Sequence, residues 1–187
     1  LIGQEPVSLL GPLLDATAFL TRVPLPARGR FDLARAAWAF PLVGGGTGLA
    51  LGGLGVLLAH LLGEDSGAGV LVAAVVVVLA EVLLTGALHL DGLADCADGT
   101  GGRDRAARLR IMKDHTVGVY GVTAVVLDLL LKVALVGVLL ERLPAGELGT
   151  AAVLVKTTLA WTLSRTAMLP PARWLPYARE DGTGRSL

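Results

Sequence analysis

Three aspartates lie at i, i+4 and i+7 in the stretch His89-Leu90-Asp91-Gly92-Leu93-Ala94-Asp95-Cys96-Ala97-Asp98-Gly99. On a helix, Asp91, Asp95 and Asp98 share one face and span roughly 10 Å of axis. Carboxylates stacked in this way repel one another, and no Lys or Arg stands between residues 82 and 102 to offset them. A divalent cation is the natural remedy, and all-oxygen ligands favour Mg²⁺ over zinc. The plain alternative is an acidic, solvated helix end. The small or apolar residues Leu93, Ala94, Cys96 and Ala97 in between argue instead for a polar cleft within a bundle. His89 is a candidate proton carrier or ligand, and equally a packing or interfacial histidine. The Cys96 sulfur, set between carboxylates, is disfavoured as a thiolate and hence as a nucleophile.

A second cluster follows: Arg108, Arg110, Lys113, Asp114 and His115, then Gly118, Tyr120 and Gly121. Bases beside an acidic metal site are what a phosphate ester or diphosphate requires. Metal and bases together hold phosphoryl oxygens and stabilise transition-state charge. Lys113 and Arg110 are the candidate phosphate-binding residues, and Asp114 is a candidate further metal ligand beside Asp91, Asp95 and Asp98. The competing account is that these bases only obey the charge asymmetry of membrane proteins, and it is strongest for Arg103 and Arg105.

The elements that must position these residues are hydrophobic. Of 187 residues, 53% are hydrophobic and 17% charged, against about 25% charged in soluble domains. The net charge is zero, so no overall basic field argues for nucleic acid. The single cysteine excludes an internal disulfide framework and a multi-cysteine metal site. No secretory signal is evident. Apolar runs predict four transmembrane helices, at Leu42–Leu62, Ala68–Leu90, Val117–Leu140 and Leu148–Leu169. The fold expected is therefore all-α, a polytopic helical bundle forming a single membrane domain over 1–187. Val7–Val23, broken by Pro12 and Asp15, reads as an interfacial or re-entrant helix.

Basic residues alternate with acidic ones between the spans. Arg22, Arg28, Arg30 and Arg35 precede the first, Glu64 and Asp65 follow it, five bases lie between the second and third, and Arg142 follows the third. Arg173, Arg179 and Arg185 follow the fourth. This places the N-terminus, the Asp91–Thr116 loop and the C-terminus in the cytoplasm. Trp38 and Phe40 before the first span, and Trp174 and Tyr177 after the last, read as interfacial anchors. Gly44, Gly48 and Gly52 suit close helix approach, within this chain or in a homo-oligomer. Glu81, an acid inside a span, is a functional candidate by default and equally a buried partner of Lys132 or Lys156; it is not counted as catalytic.

Several ordered motifs resemble those of cobalamin synthase, the adenosylcobinamide-GDP ribazoletransferase family of membrane enzymes. Residues 85–99 look like its central motif, and Phe19-Leu20-Thr21-Arg22-Val23-Pro24-Leu25-Pro26 like its N-terminal signature. Phe40-Pro41-Leu42-Val43-Gly44, residues 110–118, Ser164-Arg165 and residues 177–184 are similar to further family motifs. The resemblance implies joining of adenosylcobinamide-GDP to α-ribazole, or its 5′-phosphate, with loss of GMP, at a bacterial cell membrane. Beyond what the motifs imply, the expectation for this reaction is that Asp91, Asp95 and Asp98 hold Mg²⁺ at the diphosphate and that Lys113 and Arg110 balance charge on GMP. His89 or a carboxylate would take the hydroxyl proton. Family members run on further, so the chain is expected to be truncated at its C-terminus. The alternatives are a CDP-alcohol phosphotransferase, whose signature expects Arg where Asp95 stands, and a cation transporter, whose acids sit nearer the midplane.

Overall fold

The computed structural model describes residues 10–25, 32–63, 66–141, 143 and 149–178. Of the charges read above, Arg28, Arg30, Glu64, Asp65, Arg142, Arg179 and Arg185 lie outside the described residues, as do Pro26 and the 179–184 part of the last motif. The elements are α1 (Leu10–Leu20), α2 (Leu33–Ala36) continuing through a 3₁₀ turn at Ala37–Ala39, α3 (Phe40–Leu62) and α4 (Gly67–Thr85). After these come α5 (Leu88–Gly99), α6 (Arg105–Ile111), α7 (Val119–Glu141), α8 (Thr150–Thr166) and α9 (Leu169–Trp174). No strand occurs among the described residues, so the all-α expectation holds.

Three helical stretches are long and apolar enough to cross a membrane: Leu33–Leu62, Gly67–Thr85 and Val119–Glu141. They coincide with the first three expected spans. The fourth expected span is the 17-residue helix α8, about 25 Å long, which carries exposed Lys156 and buried Arg165. It is shorter and more polar than the other three, so the count of four is an expectation that rests on α8. Helix α1 has 11 residues, about half the length a hydrocarbon core demands.

The described residues pack as two compact units, one within 1–50 and 154–187 and the other within 51–153. In the first, Ala16, Leu20, Leu33, Ala36, Ala39, Phe40 and Val43 form a buried core, with Leu13, Phe19, Met168 and Leu169 packed against it. The Phe19 and Phe40 rings stack with centroids 5.8 Å apart. Phe40 is fully buried, which corrects its reading as an interfacial anchor: hydropathy marks it as apolar but cannot say which side its ring faces. Trp38, Trp174 and Tyr177 are exposed. A Cβ on Gly48 would meet the Thr157 carbonyl at 2.6 Å, and one on Gly44 the Trp161 carbonyl at 2.6 Å. These glycines therefore seat α8 within the same chain.

In the second unit, α4 and α5 both pack along α7. Ser66 caps α4, its Oγ accepting from the Gly69 amide at 3.3 Å. Near the other end, Lys132 of α7 reaches the Glu81 Oε2 of α4 at 3.3 Å and the Asp128 Oδ2 of its own helix at 3.1 Å. Glu81 is only 7% exposed. A buried acid at membrane depth needs such a partner, and Lys132 is one of the two the sequence offered.

Candidate active site

The second expected span ran to Leu90, but α4 stops at Thr85. Gly86 adopts a left-handed conformation, φ 62° and ψ 32°. Its N–H donates to the Leu83 carbonyl at 3.3 Å, and the Ala87 N–H donates to the Val82 carbonyl at 3.0 Å. This is the paired closure of a Schellman motif. Ala87 is left-handed too, at φ 60°, a conformation that costs a residue with a Cβ about 1 kcal/mol or more. Two successive left-handed residues redirect the chain, and the aspartates ride on a helix of their own.

That helix is α5, and it carries His89, Asp91, Asp95 and Asp98 as expected. Asp91 is exposed, whereas His89, Asp95 and Asp98 are half-buried. Asp98 reaches furthest across the fold. Its Oδ2 accepts from the Gly118 amide at 2.7 Å and its Oδ1 from the Gly121 amide at 2.8 Å. Both donors belong to the start of α7. Neither glycine has room for a side chain, because a Cβ at either would collide with this same carboxylate.

The segment between the two helices folds back on α5. Asp104 caps α6, its Oδ1 accepting from the Ala107 amide at 2.7 Å. Arg108 Nε donates to the Gly102 carbonyl at 3.0 Å, and a Cβ on Gly99 would lie 3.0 Å from Met112. Arg110 is in the last turn of α6, and it, Lys113 and Asp114 are exposed. Asp114 Oδ1 accepts from the Thr116 amide at 2.9 Å and from its hydroxyl at 2.8 Å. These bonds, the backbone one foremost, hold the Asp114 carboxyl below the usual carboxylate range, with a smaller contribution from His115. Cys96 is a free, exposed thiol.

Among the described residues, no three His, Cys, Asp or Glu side chains lie close enough together to share a metal ion. The four-aspartate set is thus not gathered at one point. Asp98 is engaged by the start of α7 and Asp114 by its own turn. Asp91 and Asp95 stand one turn apart on α5, a two-carboxylate set of the kind Mg²⁺ uses. That ion commonly takes one or two carboxylates and fills its other positions with water and substrate phosphates. The donor chemistry of this pair fits.

A family model described as cobalamin-5-phosphate synthase matches residues 12–187. The chain belongs to that family. An adenosylcobinamide-GDP ribazoletransferase of Azorhizobium caulinodans is 46% identical over 182 residues, covering 93% of this chain and 64% of the relative. Proteins of the same name from Chlorobaculum tepidum and Allorhizobium ampelinum are 40% and 38% identical, covering 63% and 65% of their own lengths. The chain thus spans a little under two-thirds of the curated relatives it matches. No solved structure matches it.

The aspartates expected on one helix are carried by α5, whereas the part played by Gly118 and Gly121 was not read from the sequence. Their signal was present, as two glycines three apart at the mouth of an apolar run, where α7 begins.

Proposed function

We propose that this chain is the greater part of an adenosylcobinamide-GDP ribazoletransferase working with Mg²⁺ at the cytoplasmic face of a bacterial inner membrane. The observation that carries the reading is the helix α5, which presents Asp91 and Asp95 one turn apart in a chain 46% identical to a protein of that name. The reaction joins adenosylcobinamide-GDP to α-ribazole or its 5′-phosphate. A ribose hydroxyl attacks the cobinamide-linked phosphorus. One P–O bond forms, the P–O bond to GMP breaks, and the hydroxyl proton is released.

Asp91 and Asp95 would hold Mg²⁺, which when bound neutralises charge on diphosphate oxygens. Arg110 and Lys113 are exposed cations on the segment that folds back on α5. Their role is to offset the charge that builds on the departing GMP. His89, in the first turn of the same helix, is the candidate acceptor for the hydroxyl proton, with a carboxylate of α5 as the other choice.

The test uses the full-length protein in membranes with Mg²⁺, adenosylcobinamide-GDP and α-ribazole. GMP release and formation of the joined product are expected. CMP release from a CDP-alcohol, with none of GMP, would transfer the protein to the other class of membrane phosphotransferase.

A further inference from the structure

We propose that Asp98 is a positioning residue: its carboxylate closes the N-terminus of α7 and thereby fixes the base-bearing segment 100–118 against α5, leaving the ion to Asp91 and Asp95. Helix α7 begins at Val119, so Gly118 is its N-cap and Gly121 its third residue. The amides of these two positions are the ones a capping box satisfies, with the N-cap side chain serving one and the third side chain the other. Here neither residue has a side chain, and one carboxylate from a different helix serves both, at 2.7 and 2.8 Å. The two glycines are what allow Asp98 to come so close.

Electrostatics separates this role from metal ligation. A helix N-terminus carries roughly half a positive charge, which favours an anion and disfavours a cation within the first turn. A divalent ion on the Asp98 oxygens would sit against that positive end and compete with two charge-assisted hydrogen bonds. Asp95 and Asp91 lie about one and two turns before Asp98 along α5.

The consequence is mechanical. The segment returning from α5 to α7 is tied at Gly102 by Arg108, rests on Gly99 through Met112, and is closed at its far end by Asp98. Arg110 and Lys113 lie between these ties. Loosening Asp98 therefore releases the bases while every ligand of the ion stays in place.

Amide hydrogen exchange on the wild-type full-length protein tests the bonds directly. Gly118 and Gly121 should be protected, and saturating Mg²⁺ should leave that protection unchanged. Faster exchange at both on adding Mg²⁺ would show the carboxylate being drawn to the ion, and would overturn the proposal. The kinetic arm rests on the transferase reading, whereas the exchange arm does not, so a protein that releases no GMP still decides the question. In that arm, Asp98→Asn and Gly121→Ala should each raise KM for adenosylcobinamide-GDP by about tenfold, with the half-saturating Mg²⁺ concentration within about twofold of wild type. The glycine variant leaves every carboxylate present and presses its new methyl group on the Asp98 carboxylate first, with the Ala94 carbonyl 3.1 Å away. A rise of about tenfold or more in the Mg²⁺ requirement of Asp98→Asn, with Gly121→Ala behaving as wild type, would make Asp98 a ligand.

Discussion

Helices α4 and α5 are neighbours in sequence, lie against the same partner, α7, and each bring it an acid, yet the two acids are satisfied by different means. Glu81 of α4 meets a side-chain cation, Lys132, which Asp128 shares. Asp98 of α5 meets backbone amides at a helix end. The first solution lies within the apolar stretch, where few donors other than a side chain are free, because the backbone bonds are used within the helices. The second lies where α7 begins and its first amides have no partner in their own helix. The difference teaches that the acids of this chain are not one population. Glu81 and Asp98 are tied to α7, and Asp91 and Asp95 are the acids of α5 proposed to hold the ion.

The sharpest way to break that division is Asp95→Asn. GMP release in the full-length protein should fall by about a thousandfold or more, with membrane insertion intact. Near-normal turnover would remove Asp95 from the mechanism and undo the contrast. Next comes Lys132→Met, which leaves Glu81 and Asp128 without their cation. Breaking a buried pair on one side should cost about 3 kcal/mol or more, read as a lowered unfolding midpoint in detergent. The triple change Glu81→Gln, Asp128→Asn, Lys132→Met should recover most of it. A single variant as stable as wild type would show that the ion pair holds nothing together.

A smaller effect is expected at the joint between the two helices. Ala87→Gly removes the left-handed strain and should stabilise the protein by up to about 1 kcal/mol. A loss of stability would mean that the Ala87 methyl group contributes more than its backbone costs. The smallest effect concerns Asp114. Its folded-state pKa is depressed by Thr116, so the bond is fully present above the ordinary carboxylate pKa and is lost as pH falls through the lower, folded value. Thr116→Val deletes the hydroxyl bond but keeps the amide bond. The Asp114 carboxyl resonance should then titrate at higher pH than in wild type, still below its ordinary value.

Much of this was legible in the sequence. The hydropathy of Leu42–Leu62 and Val117–Leu140 located α3 and α7, and an acid stranded among valines and leucines at Glu81 offered Lys132 and Lys156 as partners, between which only the structure chooses. The break after Thr85 was not legible from hydropathy, because Ala87, Leu88 and Leu90 prolong the apolar run while Gly86 alone hints at a stop. The role of Asp98 could not be read locally. Its partners are 20 and 23 residues away, and backbone amides leave no mark in a sequence except the glycines that make room for them. Phe40 was misplaced for a related reason, since its stacking partner, Phe19, lies on α1.

Because α5 runs beside the first turns of α7, the aspartate face has an uncommon neighbour. Val119, Val122 and Val126 of those same turns are exposed, and an apolar helix of this length turns such residues toward lipid. In a bilayer these valines would put lipid beside the start of α7, along which α5 packs. Charges beside such a boundary are screened less than charges in open water.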